Sequence, residues 1–235
     1  MSELLNRFLT GSAVWGVMLT LAAFALGTLV NRKTGKAFCN PLLLGSIFVI
    51  VFLTVLEIPY PDYKASAAPI NYLLLPATVS LAIPLYEKWE LLKKNAAAIL
   101  AGIAVGTLVS LCSAWLLALA LHLTREQYIT ILPKSVTTAI SMDISAELGG
   151  IVALTSAVVV LTGIAGNLLA ESVCKWFGIT DPIAKGVGIG TSAHAVGTSR
   201  ALQMGEVEGA MSGLSIAVAG ILTAVLCPVF ANLIG

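Results

Sequence analysis

Lys134, His194 and Arg200 interrupt stretches that are otherwise apolar enough to lie in a bilayer, so they open the search for chemistry. Lipid offers no partner to a charge or a freed amide, and such groups must face protein or a water-filled cavity. Lys134 stands in Leu132-Pro133-Lys134-Ser135-Val136-Thr137-Thr138. Pro133 has no amide proton and clashes with the preceding turn, so a helix arriving from Tyr128 should break here. The break would leave bare amides and a positive helix end, both suited to a carboxylate. Lys134 adds a full charge, and Ser135, Thr137 and Thr138 add hydroxyl donors. The plainer reading is that Lys134 snorkels from a helix end to the membrane surface.

A second stretch, Gly186 to Arg200, carries Gly186, Gly188 and Gly190 at alternate positions, then Thr191, His194, Thr198 and Arg200. Glycines so spaced unwind a helix and admit a ligand to the backbone; they also serve close helix packing. His194 can hold a proton near neutral pH or give a neutral hydrogen bond, and it can equally be a packing histidine. Arg200 offers a planar fork to a carboxylate, or anchors the helix at the interface. Asp143 and Glu147, four apart, would share a helix face and could couple transport to an ion, or could be a solvated helix end. Glu171, beside Asn167 and near Lys175, reads as interfacial. Pro76 and Pro84 bracket Thr78 and Ser80 in a kinked or broken segment, with Tyr86 and Trp89 as interface anchors.

The elements that must position these groups follow from composition. Of 235 residues, 58% are hydrophobic and 11% charged, against roughly 25% charged in soluble domains. At about 20 residues per crossing there is room for six to eight transmembrane segments and no soluble domain. The expected fold is therefore an all-α integral membrane protein with discontinuous helices, a single polytopic domain over 1–235. Continuous helices are expected near 12–30, 41–57, 95–121, 151–177 and 207–233, with interrupted segments at 70–87, 127–147 and 183–203. The run Ala13 to Val30 follows Arg7 as a signal peptide would, but is long and lacks a small-residue cleavage site, so it is expected to remain as a first span. Arg32, Lys33 and Lys36, and again Lys88, Lys93 and Lys94, place two loops in the cytoplasm and the N-terminus outside. An internal repeat of 76–113 on 190–227 is a further architectural expectation. No enzyme site, cofactor or metal set is expected, and no basic run suits nucleic acid. Cys39, Cys112, Cys174 and Cys227 are scattered singly and read as packing residues, and His122 reads as a helix-end residue facing headgroups.

The motifs resemble the LrgB/CidB family of bacterial membrane proteins, whose relatives include the plastid glycolate/glycerate translocator of plants. The resemblance rests on Pro76, Ala82 to Glu87, Ile131 to Thr138, Gly149-Gly150 and Gly190 to Arg200, and covers roughly Pro41 to Pro228. The family's usual Pro-Ile-Ala is here Ala139-Ile140-Ser141, its Ala-Ser-His is Ser192-Ala193-His194, and Asp143 lies where many relatives are apolar or small. The resemblance implies two functions. One is secondary transport of small 2-hydroxy or 2-keto monocarboxylates across the cytoplasmic membrane, ion-coupled. The other is a holin/antiholin-like control of murein hydrolase export and lysis, beside a small LrgA/CidA-like partner. On the transport reading Lys134 and Arg200 neutralise the carboxylate. Ser135, Thr137, Thr138, Thr191 and Thr198 then take its other oxygens, and His194 gives a hydrogen bond or the coupled proton. A homodimer is expected.

Overall fold

A computed structural model describes residues 14–34, 41–80 and 82–234; Arg7, Lys36, Cys39 and the first two positions of the expected first helix lie outside them. Among the described residues all regular structure is helical. Among the described residues four helices are long and apolar enough to cross a membrane: α1 (Trp15–Thr34), α7 (Trp89–Ala120), α10 (Val152–Trp176) and α12 (Glu206–Ala231). A fifth, α2 (Pro41–Val55), is apolar but shorter. On α7 the buried Ile99, Ile103 and Leu111 and the exposed Leu100, Val105 and Val109 are alike apolar. A helix apolar on every side belongs in a bilayer, and the chain is a multi-pass membrane protein. The short helices are α3 (Tyr60–Ser66), α4 (Ala68–Tyr72), α5 (Leu74–Ser80), α6 (Ala82–Glu87), α8 (Arg125–Ile131) and α9 (Thr138–Leu148). The last, α11 (Pro182–Met204), has non-helical backbone inside it at Ala193 and His194. Pro76 and Pro84 each fall in the first turn of a short helix, where a missing amide costs least.

The chain forms two compact units, Met1–Ser80 and Leu81–Gly235. In the first, Gly45 of α2 lies against the backbone of Ala23 on α1, and a Cβ at Gly27 would stand 2.7 Å from the Pro41 carbonyl. Small residues let these two backbones approach. Thr20 Oγ1 and Tyr63 Oη, 2.8 Å apart, tie α3 to α1.

The second unit holds the polar motifs, and its contacts fix the direction of each element. Lys88 and Glu206, at the starts of α7 and α12, form a 2.8 Å ion pair. Ile99 and Ile103 share a core with Ala210, Met211 and Ala219, whereas Leu111, Ala114 and Ala118 share one with Cys227 and Ala231. These helices therefore run parallel. Helices α8 and α9 form a reversal. Thr130 accepts from the Ile151 amide at 2.9 Å, and Thr155 Oγ1 reaches both the Thr130 carbonyl at 3.1 Å and Ser145 Oγ at 2.7 Å. A straight run from Thr130 to Ser145 would separate them by about 20 Å at helical rise, so α9 must fold back along α8. Gly149 (φ 89°) takes the left-handed turn that closes α9.

Helix α11 reverses as well. Gly186 and Leu202 both lie against the Glu208–Gly209 stretch of α12, and Gly190 and Thr198 both meet Ser212. Residues 182–192 thus run along α12 in one direction and 195–204 return in the other. The turn is made at His194, whose φ of 41° and ψ of −143° lie outside the helical region. A side chain at positive φ costs of order 1–3 kcal/mol and persists only where its surroundings hold it. Here His194 Nε2 lies 3.0 Å from the Val159 carbonyl, and Asn167 Nδ2 donates to the Val196 carbonyl at 2.8 Å. Helix α10 runs alongside the returning limb, Gly163 meeting His194 and Val196, and Glu171 meeting Arg200. It is consequently antiparallel to α7 and α12. The unit is thus built as a long helix plus a reversal (89–148), followed by a second such pair (152–204) pointing the other way. This differs from the expected repeat of 76–113 on 190–227, because residue similarity between small-residue runs carries no information on chain direction.

A Cβ at Gly163 would stand 2.6 Å from Cε1 and 2.8 Å from Nε2 of His194, whereas nothing lies within 4 Å of one at Gly188. Gly163→Ala should lower stability by about 1–3 kcal/mol by overpacking. Gly188→Ala should raise it by about 0.5–1 kcal/mol through helix propensity. Thermal unfolding in detergent reads both; shifts of the same sign would mean that the reversal does not seat on Gly163.

Candidate functional site

Helix α8 opens on a reciprocal cap, with the Gln127 amide donating to Thr124 Oγ1 at 3.3 Å and the Thr124 amide to Gln127 Oε1 at 3.0 Å. It stops where Pro133 removes an amide, and the turn that follows has only the Lys134 amide to Ile131 carbonyl (3.2 Å) and Val136 amide to Pro133 carbonyl (3.4 Å) bonds. Ser141, in the returning helix, donates to the Pro133 carbonyl at 2.6 Å and so holds the turn from the far limb. Thr137 precedes α9 in an extended conformation without a side-chain cap bond. The first-turn amides of α9 therefore lack the usual side-chain acceptor. Thr137 and Thr138 are half-buried beside them.

Lys134 sits on this turn. Its Nζ donates to Ser135 Oγ at 3.2 Å and to Ser110 Oγ on α7 at 3.4 Å, and Ser110 Oγ donates to Ser135 Oγ at 2.7 Å. Ser135 is buried and Lys134 half-buried. Among the described residues the ion pairs are Lys88–Glu206, Lys93–Glu90 and Arg200–Glu171, and Lys134 belongs to none of them. An ammonium inside a helix bundle is ordinarily paired with an anion or aimed at water. Here it meets only neutral hydroxyls.

The second reversal supplies Thr191 and His194. The first limb of α11 is capped by Asp181, whose Oδ1 accepts the Ala184 amide at 2.8 Å, with Pro182 at its first position. His194 is 3% exposed. A carbonyl oxygen only accepts, so Nε2 must carry the proton that it gives to Val159, leaving Nδ1 as the ring's other nitrogen. Thr198 Oγ1 donates to the His194 carbonyl at 3.0 Å and lies 2.7 Å from Ser212 Oγ. Thr191 touches Gly106, where a Cβ would stand 2.9 Å from its hydroxyl.

The two turns meet on the same stretch of α7. Gly106 faces Thr191 and Ser110 faces Ser135, one helical turn or about 6 Å apart along the axis. On α12, Gly190 meets Ser212 and Ser215, and Ile140 meets Gly220. Small and hydroxyl-bearing residues thus form a layer around the stretch of α7 between Ile103 and Leu111, with Lys134 as its cation. Neither Ser110 nor Thr107 was singled out in the sequence, although hydroxyls at 107, 110 and 113 in an apolar run are a readable helical spacing.

The other expected site residues lie elsewhere. Arg200 Nη2 pairs with Glu171 Oε1 at 2.7 Å and Nη1 donates to Gln203 at 2.8 Å, at the far end of the returning limb. Its fork is occupied by a carboxylate of the chain itself. This pair borders an open cavity of about 600 Å³ lined by Glu171, Lys175, Lys185, Gln203 and Glu208. Asp143 and Glu147 are exposed on α9, on the opposite side of the helix from the buried Ser141 and Ser145.

Exchanging the charges tests whether Glu171 and Arg200 hold α11 to α10. Glu171→Gln and Arg200→Gln should each lower the melting temperature by a few degrees. The double change Glu171→Arg with Arg200→Glu should recover about half or more of that loss, as coupled neighbours do. Strictly additive losses would show the pair to be uncoupled.

Comparison with known proteins gives the family. The model of the LrgB-like family matches residues 20–233. The antiholin-like protein LrgB of Bacillus subtilis (strain 168) is 37% identical over 227 residues, covering 96% of this chain and 98% of the relative. No solved structure matches. With a family match running through nearly every described helix, the chain belongs to the LrgB-like family.

Proposed function

We propose that this protein is a secondary transporter of small 2-hydroxy or 2-keto monocarboxylates across the bacterial cytoplasmic membrane. The observation that carries the reading is the Lys134 ammonium, without a carboxylate partner among the described residues, in the layer where two oppositely directed reversals meet. A cation so placed favours an anionic ligand, and the hydroxyls of Ser110, Ser135 and Thr191 and the half-buried Thr137 and Thr138 suit its oxygens. His194 and Thr198 hold the second turn in shape, and Arg200 latches its limb to α10. The start of α7, the end of α10 and the limb ends of α11 share one side, with Lys88, Lys93, Lys94, Lys175 and Lys185, against Arg125 on the other. Lys and Arg bias makes the lysine side cytoplasmic. Each reversal then enters and leaves from its own side of the bilayer, the arrangement of inverted-repeat transporters, in which rocking of one part exposes a midplane site to either side.

The relative's name, antiholin-like, favours a second reading, control of lysis through membrane permeability. The two differ in selectivity. On the transport reading, liposomes holding the protein take up labelled glycolate, lactate or pyruvate saturably and respond to a proton gradient. Lys134→Ala should then cut uptake by roughly ten- to a hundredfold, the value of a hydrogen bond to a charged group. Unselective leakage unaffected by Lys134→Ala, or no flux except with a small membrane partner, would turn the assignment to the antiholin-like role.

A further inference from the structure

Two buried side-chain polar atoms among the described residues have no hydrogen-bond partner, Thr107 Oγ1 and Trp115 Nε1. Trp115 packs at the edge of the core around Tyr128. Thr107 is 2% exposed in the middle of α7. A threonine in a helix ordinarily gives its proton to the carbonyl four residues back. Thr20, Thr130, Thr162, Thr191 and Thr198 all do so in this protein. The Thr107 hydroxyl makes no such bond to the Ile103 carbonyl, which serves the helix's own amide. A buried hydroxyl without a partner is costly, and such an orphan in a built polar layer calls for a ligand or water.

Its position says which ligand atom. Thr107 follows Gly106, the contact of Thr191, and precedes by three residues Ser110, the contact of Lys134 and Ser135. Residues three apart on a helix are neighbours, about 5–6 Å between Cβ atoms. A carboxylate held at Lys134 and Ser135 would therefore bring its α-carbon substituent to the next hydroxyl along α7. We infer that Thr107 hydrogen-bonds the 2-oxygen of the ligand and is the residue that separates 2-hydroxy and 2-keto acids from plain carboxylates such as acetate. A hydroxyl both donates and accepts, so it serves an alcohol and a ketone alike. The inference rests on the transport reading for its ligand class.

Thr107→Val removes the hydroxyl and keeps the shape, and Thr107→Ser keeps the hydroxyl. Because an unsatisfied group is being replaced by an apolar one, the Val variant should fold at least as stably as wild type. Thr107→Ala serves as the second hydroxyl-free variant. The measurement is the melting temperature of detergent-solubilised protein titrated with glycolate, pyruvate and acetate, together with competition by the same acids against labelled uptake in liposomes. Wild type and Thr107→Ser should favour glycolate and pyruvate over acetate by about tenfold or more, the worth of one hydrogen bond. Thr107→Val and Thr107→Ala should lose that preference through weaker glycolate and pyruvate binding, with acetate unchanged. A wild-type preference retained in both hydroxyl-free variants, or no wild-type preference at all, overturns the assignment of Thr107. Ligand-dependent stabilisation without any saturable flux would instead overturn the transport reading while leaving the Thr107 comparison intact.

Discussion

A backbone that turns back among apolar helices finds little water for its freed amides and carbonyls, and the reversals of the second compact unit are built to satisfy them. Each break is closed by side chains from a neighbouring limb or helix. Ser141 takes the Pro133 carbonyl, Thr130 and Thr155 tie the base of the first reversal, and Asn167 and His194 tie the second to α10. Without these bonds two short helical limbs would be marginal in isolation, since helices under about 12–15 residues rarely stand alone. The hydroxyl content of this unit is thus first a structural requirement.

Close approach follows from the same need. For a side chain of α10 to reach a carbonyl of α11, the two backbones must come together, and Gly163 and Gly166 provide the room against His194 and Ala193. The small residues that read as either ligand access or packing in the sequence are, at these positions, packing. His194 shows the cost most plainly. It accepts an unfavourable φ because its ring is trapped between Gly163 and the Val159 carbonyl, where a glycine would relax the backbone and lose the anchor.

The long helices were legible because twenty apolar residues have few other fates in water. The expected 151–177 and 207–233 are found as Val152–Trp176 and Glu206–Ala231. The expected 95–121 begins earlier, at Trp89, because Lys93 and Lys94 ride at the helix start, Lys93 lying over the Trp89 ring at 5.5 Å. Pro133 announced an interruption, and the interruption is there. Its sense was not legible, since proline ends a helix without saying whether the chain goes on or turns back; long-range bonds such as Thr155 to Thr130 decide that. Arg200 was grouped with Lys134 for its charge, its carboxylate-matching fork and its place in the Gly190 to Arg200 motif. Glu171, nearly thirty residues away in sequence and four residues from Lys175, gave no signal that it would claim the guanidinium.

The separation of the two cations bears on how a transporter of this kind would work. A carboxylate gripped by both Lys134 and Arg200 in a dehydrated layer would be held by a buried pair that is hard to break, since removing one partner of such a pair costs several kcal/mol. With Arg200 engaged by Glu171, the layer offers one half-buried ammonium at 3.2–3.4 Å from two hydroxyls. These are long contacts, readily exchanged for an incoming oxygen and readily restored when it leaves. On the proposed function this moderate grip is what turnover needs: a ligand must bind well enough to enter the layer and weakly enough to leave it on the other side. The stronger Arg200–Glu171 contact then lies where strength is useful, fixing the returning limb of α11 to α10 while the ligand passes the turn at its tip.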